Sequence, residues 1–283
     1  MAKVIVTCDS TCDLDQASVD KYHIIVCPLY VYTGQEEHRD GIDIKAPQVF
    51  EYVSRTGILP RTAACTSEDY TKFWQPHLDE GCEIVHINIS AEFSSCYQNA
   101  VLAAQELGHV YPIDSRNLSS GSGLLALEAA ELAQAGKSAK EIFDYLETKK
   151  LRLNVSFVID TLEYLAKGGR CSALVSLASS LLKIKPCIEV IGGKMGVGKK
   201  YRGKLAAVIN QYVHERLKAA GDVETKRIFI TDSGVTDDIV EDVRKAILEE
   251  APFAEIIHSN AGCTVSSHCG PNTLGILFFE AEK

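Results

Sequence analysis

The sequence predicts an α/β protein. Short apolar runs rich in β-branched residues alternate with amphipathic stretches from one end of the chain to the other, the pattern of parallel strands covered by helices. The one break in that rhythm is Ile188-Glu189-Val190-Ile191-Gly192-Gly193-Lys194, whose Gly-Gly pair reads as a hairpin turn and so as a second sheet of different topology. With 283 residues, 46% of them hydrophobic, the chain has room for two modest domains and a core that needs no staple.

In chain order, the β-rich runs Lys3–Thr7 and His23–Tyr32 read as strands with a helix, Asp13–Lys21, between them. Helices follow at Ala46–Arg55 and Ser67–Leu78, the second with Thr66 or Ser67 as its N-cap. Glu83–Ile89 is a strand that leads to a helix over Ser94–Leu107, and His109–Ile113 one that leads to helices over Ser119–Gln134 and Ala139–Lys149. A boundary near Leu151–Asn154 divides the chain into an N-terminal α/β domain, residues 1–152, and a C-terminal α/β domain with a partly antiparallel sheet, residues 153–283. The second half carries strands at Val155–Ile159, Arg227–Thr231, Glu255–Ile257 and Ile276–Glu280. Its helices are expected at Leu162–Lys167, Ser172–Ile184, Lys204–Ala219 and Thr236–Glu249.

Composition removes several function classes. Twenty-nine Lys and Arg stand against 38 Asp and Glu, a net charge of −9 that disfavours nucleic acid and anionic membrane surfaces. No apolar run reaches the length of a membrane span, and Met1-Ala2-Lys3-Val4 leads directly into a strand pattern, so a cytoplasmic protein is expected. The ten cysteines form no Cys-x-x-Cys pair and sit mainly beside apolar residues, which reads as small-hydrophobe packing in a reducing compartment.

Four strand ends share an Asp followed by a hydroxyl: Asp9-Ser10, Asp114-Ser115, Asp160-Thr161 and Asp232-Ser233. The plain reading is an N-cap for the next helix. The functional reading is a ligand rim at the carboxyl ends of strands, or a divalent metal held by several acids, and the spacing does not favour metal.

Individual residues suited to chemistry are few. Thr62 follows Pro60 and lies too early for helix capping to explain it. Ser94 and Ser95 open a helix, where free N–H groups suit an anion and equally suit a capping serine. His268 stands just before the tight Gly270-Pro271 turn. Gly121-Ser122-Gly123 and Gly192–Lys199 lack the spacing and the strand–loop–helix setting of a nucleotide loop. Lys199, Lys200, Arg202 and Lys204 form a basic island, a solvated turn or a meeting place for a phosphate or acidic partner. Arg170, after Gly168-Gly169, is suited to pairing with a carboxylate or phosphate.

Taken together, Thr7-Cys8-Asp9-Ser10-Thr11-Cys12-Asp13-Leu14, Asp40-Gly41-Ile42-Asp43, Leu59-Pro60-Arg61-Thr62, Ser94-Ser95-Cys96-Tyr97, Leu162–Arg170 and His268-Cys269-Gly270-Pro271 make the chain similar to the DegV family over nearly its whole length. The resemblance implies a two-domain bacterial lipid-binding protein, not an enzyme. Its ligand is a long-chain fatty acid with the acyl chain in an apolar tunnel, and no catalytic residue, metal or cofactor is implied. Some members present the lipid to a separate ATP-binding fatty acid kinase subunit. By position, Thr62, Ser94, Ser95 and His268 match the carboxylate site, and Arg170, joined by Lys199 and Arg202, matches a partner-docking surface. Two departures stand out: Thr62-Ala63-Ala64-Cys65-Thr66 replaces the usual Thr-Ser-Gln-Pro-Ser, and Ser95 replaces a glycine. Two other classes remain open. One is a serine hydrolase using Ser94 and His268 with Asp9 or Asp114, although no Gly-x-Ser-x-Gly elbow precedes Ser94. The other is a nucleotide- or sugar-phosphate-binding module built on the strand-end Asp–hydroxyl set.

Overall fold

The structure is a computed structural model that describes residues 2–171 and 184–282. The helix expected at Ser172–Ile184 lies almost wholly outside the described residues. The first half builds a four-stranded parallel sheet in the order β2-β1-β6-β7, from β1 (Val4–Asp9), β2 (Ile25–Cys27), β6 (Glu83–Asn88) and β7 (Val110–Asp114). The central strands β1 and β6 are buried on both faces, which is why they read as near-continuous apolar runs and not as alternating ones. The helices α3 (Ser67–Asp79) and α4 (Cys96–Leu107) pack together on one side, and α5 (Ser119–Gln134) and α6 (Ala139–Lys149) on the other. α3 starts where the sequence placed it: Thr66 accepts the Asp69 N–H at 3.1 Å and Asp69 takes the Thr66 N–H at 2.8 Å.

The expected long strand His23–Tyr32 is two strands. Pro28 has no N–H for a ladder, and the chain leaves the parallel sheet there to enter a separate antiparallel sheet, β4-β3-β5. That small sheet comprises β3 (Tyr30–Thr33), β4 (Glu36–Arg39) and β5 (Arg61–Ala63). β4 and β5 carry no strand signal because one is Glu-Glu-His-Arg and the other only three residues long. A helix, α2 (Ala46–Thr56), joins them, and α1 (Gln16–Tyr22) links β1 to β2.

The second half contributes a six-stranded mixed sheet, β10-β9-β8-β13-β11-β12. Its strands are β8 (Leu153–Val158), β9 (Lys185–Ile191), β10 (Lys194–Tyr201), β11 (Val223–Asp232), β12 (Glu255–Asn260) and β13 (Leu274–Glu280). Only β11 and β12 run parallel; β9 and β10 form the Gly192-Gly193 hairpin. Besides α7 (Glu163–Gly168), this half has α8 (Leu205–Ala220) and α9 (Asp237–Glu250), which cover one face of the sheet, and the seven-residue α10 (Cys263–Cys269).

α5 touches both large sheets and forms the middle layer between them. Its residues from Ser119 to Ala130 are all buried, so it is covered all round where an outer helix would bury only a stripe. A Cβ on Gly123 would lie 2.7 Å from the Cys12 carbonyl oxygen, so the Gly-Ser-Gly run here allows a helix to seat closely on its neighbours. One apolar cluster runs through α5 from Val6 and Ile87 to Phe157 and Leu277. All ten cysteines are buried and unbridged.

None of the four strand-end aspartates caps the helix after it. Asp9 accepts from Tyr70 Oη (2.7 Å), the Ile89 N–H (3.0 Å), Asn88 Nδ2 (3.2 Å) and His86 Nε2 (3.2 Å), all buried. Asp114 takes the N–H groups of Ala91 (3.2 Å) and Arg116 (2.8 Å), Asp160 pairs with Lys185, and Asp232 closes the turn at Gly234. At Asp9 the four buried donors from other segments hold the carboxylate away from the helix that follows.

Candidate ligand-binding site

β5 and α10 meet edge to end, and this juxtaposition makes the site. Thr62 Oγ1 lies 2.9 Å from His268 Nε2 across 206 residues of sequence. A small cavity of about 60 Å³ opens beside the pair. Thr62, Ser94, Thr264, His268 and Arg170 reach it, but most of its wall is apolar, including Leu29, Ile89, Phe93, Leu118, Met195 and Val265. A second cavity of about 30 Å³ lies beyond Leu118, Val265 and Cys269, which line both, and continues toward Phe157 and Leu277.

His268 is a neutral base. Burial, with the positive charge of Arg170 adding to it, lowers its pKa from 6.5 to about 4. Its Nδ1 is buried without a hydrogen-bond partner and packs on Gly168, where an added Cβ would lie 2.5 Å away. An orphaned N–H there would be costly, so the ring proton belongs on Nε2, which donates to Thr62 Oγ1. The Thr62 hydroxyl is then left free to donate to a ligand. The glycine pair before Arg170 therefore has two jobs: Gly169, at φ +70°, ends α7, and Gly168 makes room for the imidazole.

α10 is fixed from the opposite half of the chain. Asp40, buried, accepts the N–H groups of Cys263 (2.8 Å) and Thr264 (3.1 Å) and the Ser10 hydroxyl (3.1 Å). Asp13 accepts the Gly262 N–H at 2.8 Å and the Ser119 hydroxyl at 2.6 Å. Burial pushes the Asp13 carboxyl up to about 8, against the pull of those two hydrogen bonds, and the charge of Asp40 adds to the rise. Asp9, Asp13, Asp40 and Asp232 all face one crevice of about 860 Å³ beside α10. Among the described residues, no three His, Cys, Asp or Glu side chains come together in an arrangement that could hold a metal ion.

Of the residues singled out from sequence, Thr62, Ser94, His268 and Arg170 border one cavity. Ser95 is exposed and does not line it, so its Cβ stays clear of the cavity. Ser94 is engaged with Cys96, donating to Sγ at 3.1 Å and accepting the N–H at 3.3 Å, while His268 is engaged with Thr62. Arg170 is exposed at the rim, with Nη1 on the Gly168 carbonyl at 2.7 Å. Lys199 is paired with Glu215 at 2.7 Å, and Arg202 is exposed on the far side of the β9–β10 hairpin from its tip. That tip docks on the first half, where the carbonyls of Gly192 and Gly193 accept from Arg116 (3.0 Å) and Ser90 (2.9 Å). Sequence reasoning missed Thr264, one helical turn before His268 on the same face of α10, and the supporting role of Asp40. The four-residue spacing was there to be read, but nothing in the sequence marked Cys263–Cys269 as the helix that meets Thr62.

A polar end of neutral donors, an apolar interior and an exposed cation at the rim suit an amphiphile with an anionic head. Comparison with known proteins agrees in kind. A Clostridium perfringens DegV domain-containing protein is 30% identical over 282 residues, 99% of both chains. A Thermotoga maritima protein named fatty acid-binding protein is 27% identical over 281 residues, 96% of each. The solved structure of a DegV family protein from Thermus thermophilus, described as fatty acid binding, superposes with a TM-score of 0.89 at 29% identity, over 99% of this chain and 100% of that one. The family described as "Uncharacterised protein, DegV family" matches residues 3–281. The chain belongs to the DegV family.

Proposed function

We propose that this protein binds a long-chain fatty acid, with its carboxylate against Thr62, Ser94 and His268 and its acyl chain directed between the two α/β halves, residues 1–152 and 153–283. The observation that carries the reading is the neutral Thr62–His268 pair at the mouth of an apolar cavity, in a chain so similar to a Thermus thermophilus protein described as fatty acid binding. Each buried methylene contributes roughly 0.8 kcal/mol, so a chain of about 15 offers about 12 kcal/mol before ordering costs. The head group then needs only a few donors.

An acyl chain entering this cavity runs along its apolar wall, and Leu118, Val265 and Cys269, which also line the next cavity, border its path toward Phe157 and Leu277. Arg170, exposed beside the head group, is the residue best placed to meet an ATP-binding kinase subunit that phosphorylates the carboxylate. Lys199, tied to Glu215, is less available for that role.

Native mass spectrometry of the purified protein, followed by organic extraction, tests the ligand. A co-purifying long-chain fatty acid is expected, and Thr62→Val is expected to weaken binding by roughly 10- to 100-fold, the worth of one hydrogen bond to a charged group. Lipid-free preparations that refuse added fatty acid would overturn the reading. Acyl-phosphate formation with ATP and a kinase subunit, lost in Arg170→Ala, tests presentation separately.

A further inference from the structure

The cavity holds one polar group that the carboxylate site leaves unused. Thr264 lines it together with Thr62 and His268. The residue is 6% exposed, its Oγ1 has no hydrogen-bond partner, and its backbone N–H is pinned by Asp40 at 3.1 Å. A hydroxyl buried without a partner among Leu29, Val265 and Leu118 is unfavourable unless a ligand supplies the missing partner. Thr264 and His268 stand four residues apart on α10 and so share a face, separated by roughly 6 Å of helix rise.

Resting on the fatty-acid reading above, we propose that Thr264 makes this site selective for a fatty acid hydroxylated close to its carboxyl group. The short rise of roughly 6 Å between the two stations keeps the ligand hydroxyl on one of the first carbons after the carboxyl group, and the third carbon is the position tested. The Thr264 hydroxyl donates to or accepts from that group, while the carboxylate stays with Thr62 and His268. No covalent step is involved; the residue sets specificity.

The test is displacement of a fluorescent fatty acid by hexadecanoic acid and by 3-hydroxyhexadecanoic acid, for the wild-type protein and for Thr264→Val and Thr264→Ser. The wild type is expected to favour the hydroxy acid by about 3- to 10-fold, the range of one net neutral hydrogen bond. Thr264→Val is expected to abolish the preference, bringing the ratio of the two affinities to about one. Thr264→Ser is expected to keep the preference. Equal binding of the two acids by the wild type, or a Thr264→Val variant that weakens both alike, overturns the selectivity and leaves fatty-acid binding standing. Binding of neither acid by the wild type would remove both proposals.

Discussion

Asp40 is the residue through which the first half of the chain holds the helix that carries His268, and replacing it tests that linkage. In Asp40→Ala, the N–H groups of Cys263 and Thr264 lose their acceptor, and neither has a partner within its own helix, since both stand in the first turn. A buried donor left unsatisfied costs about 1–3 kcal/mol. Two of them cost about 2–6 kcal/mol. For a protein of this size, at about 2 °C per kcal/mol, that is a fall in melting temperature of roughly 4–12 °C. Asp40→Asn keeps one acceptor oxygen and is expected to cost about half as much. Thermal unfolding followed by circular dichroism measures the first effect. Displacement of a fluorescent fatty acid measures the second, which is weaker binding in the order wild type, Asn, Ala. An Asp40→Ala protein melting within about 2 °C of the wild type would show that these hydrogen bonds do not hold α10, and the reasoning would fail.

Three further outcomes follow from the same geometry. The His268 ring has a pKa lowered from 6.5 to about 4, so the stability tied to its neutral form is complete above 6.5 and is lost as the pH falls toward 4. The loss amounts to about 3 kcal/mol, and urea unfolding across that range is expected to show it in the wild type and not in His268→Gln. Asp13 works in the opposite sense: with its pKa raised from 3.8 to about 8, its contribution is complete below 3.8 and declines as the pH rises toward 8. Asp13→Asn, a neutral isostere suited to the φ of +46° there, is expected to flatten that decline; an unchanged pH profile would contradict the assignment. Gly123→Ala drives a methyl to 2.7 Å from the Cys12 carbonyl oxygen and is expected to destabilise by about 1–3 kcal/mol. Gly196→Ala, with nothing within 4 Å, is the matched control and is expected to melt close to the wild type.

Much of the architecture was legible because it rests on local patterns. The apolar runs of β1 and β6 and the amphipathic helices follow from side-chain periodicity, and Ser119–Gln134 and Ala139–Lys149 have the bounds expected from it. The small β4-β3-β5 sheet was not legible, since its strands are three or four residues long and one is wholly polar. The strand-end aspartates misled for a related reason. Asp followed by Ser is a good local cap, but Asp9 has four buried donors from other parts of the chain competing for it. Thr62, Ser94 and His268 were expected in one site through the resemblance to the DegV family, while nothing in their own spacing or periodicity brings them together.

By itself the sequence determined the fold class, the acidic surface and the buried, unbridged cysteines, because periodicity, charge and residue size act within a few neighbours. Tertiary structure decided everything that depends on two distant segments sharing a place. It set Thr62 against His268, lowered that imidazole's pKa by burial and used Gly168 to seat it. It also made Asp40 and Asp13 the clamp on α10, and left the Thr264 hydroxyl alone in an apolar wall. The physical reason is the same in each case: desolvation and hydrogen-bond satisfaction are properties of an environment, and the environment is assembled only when the chain closes on itself.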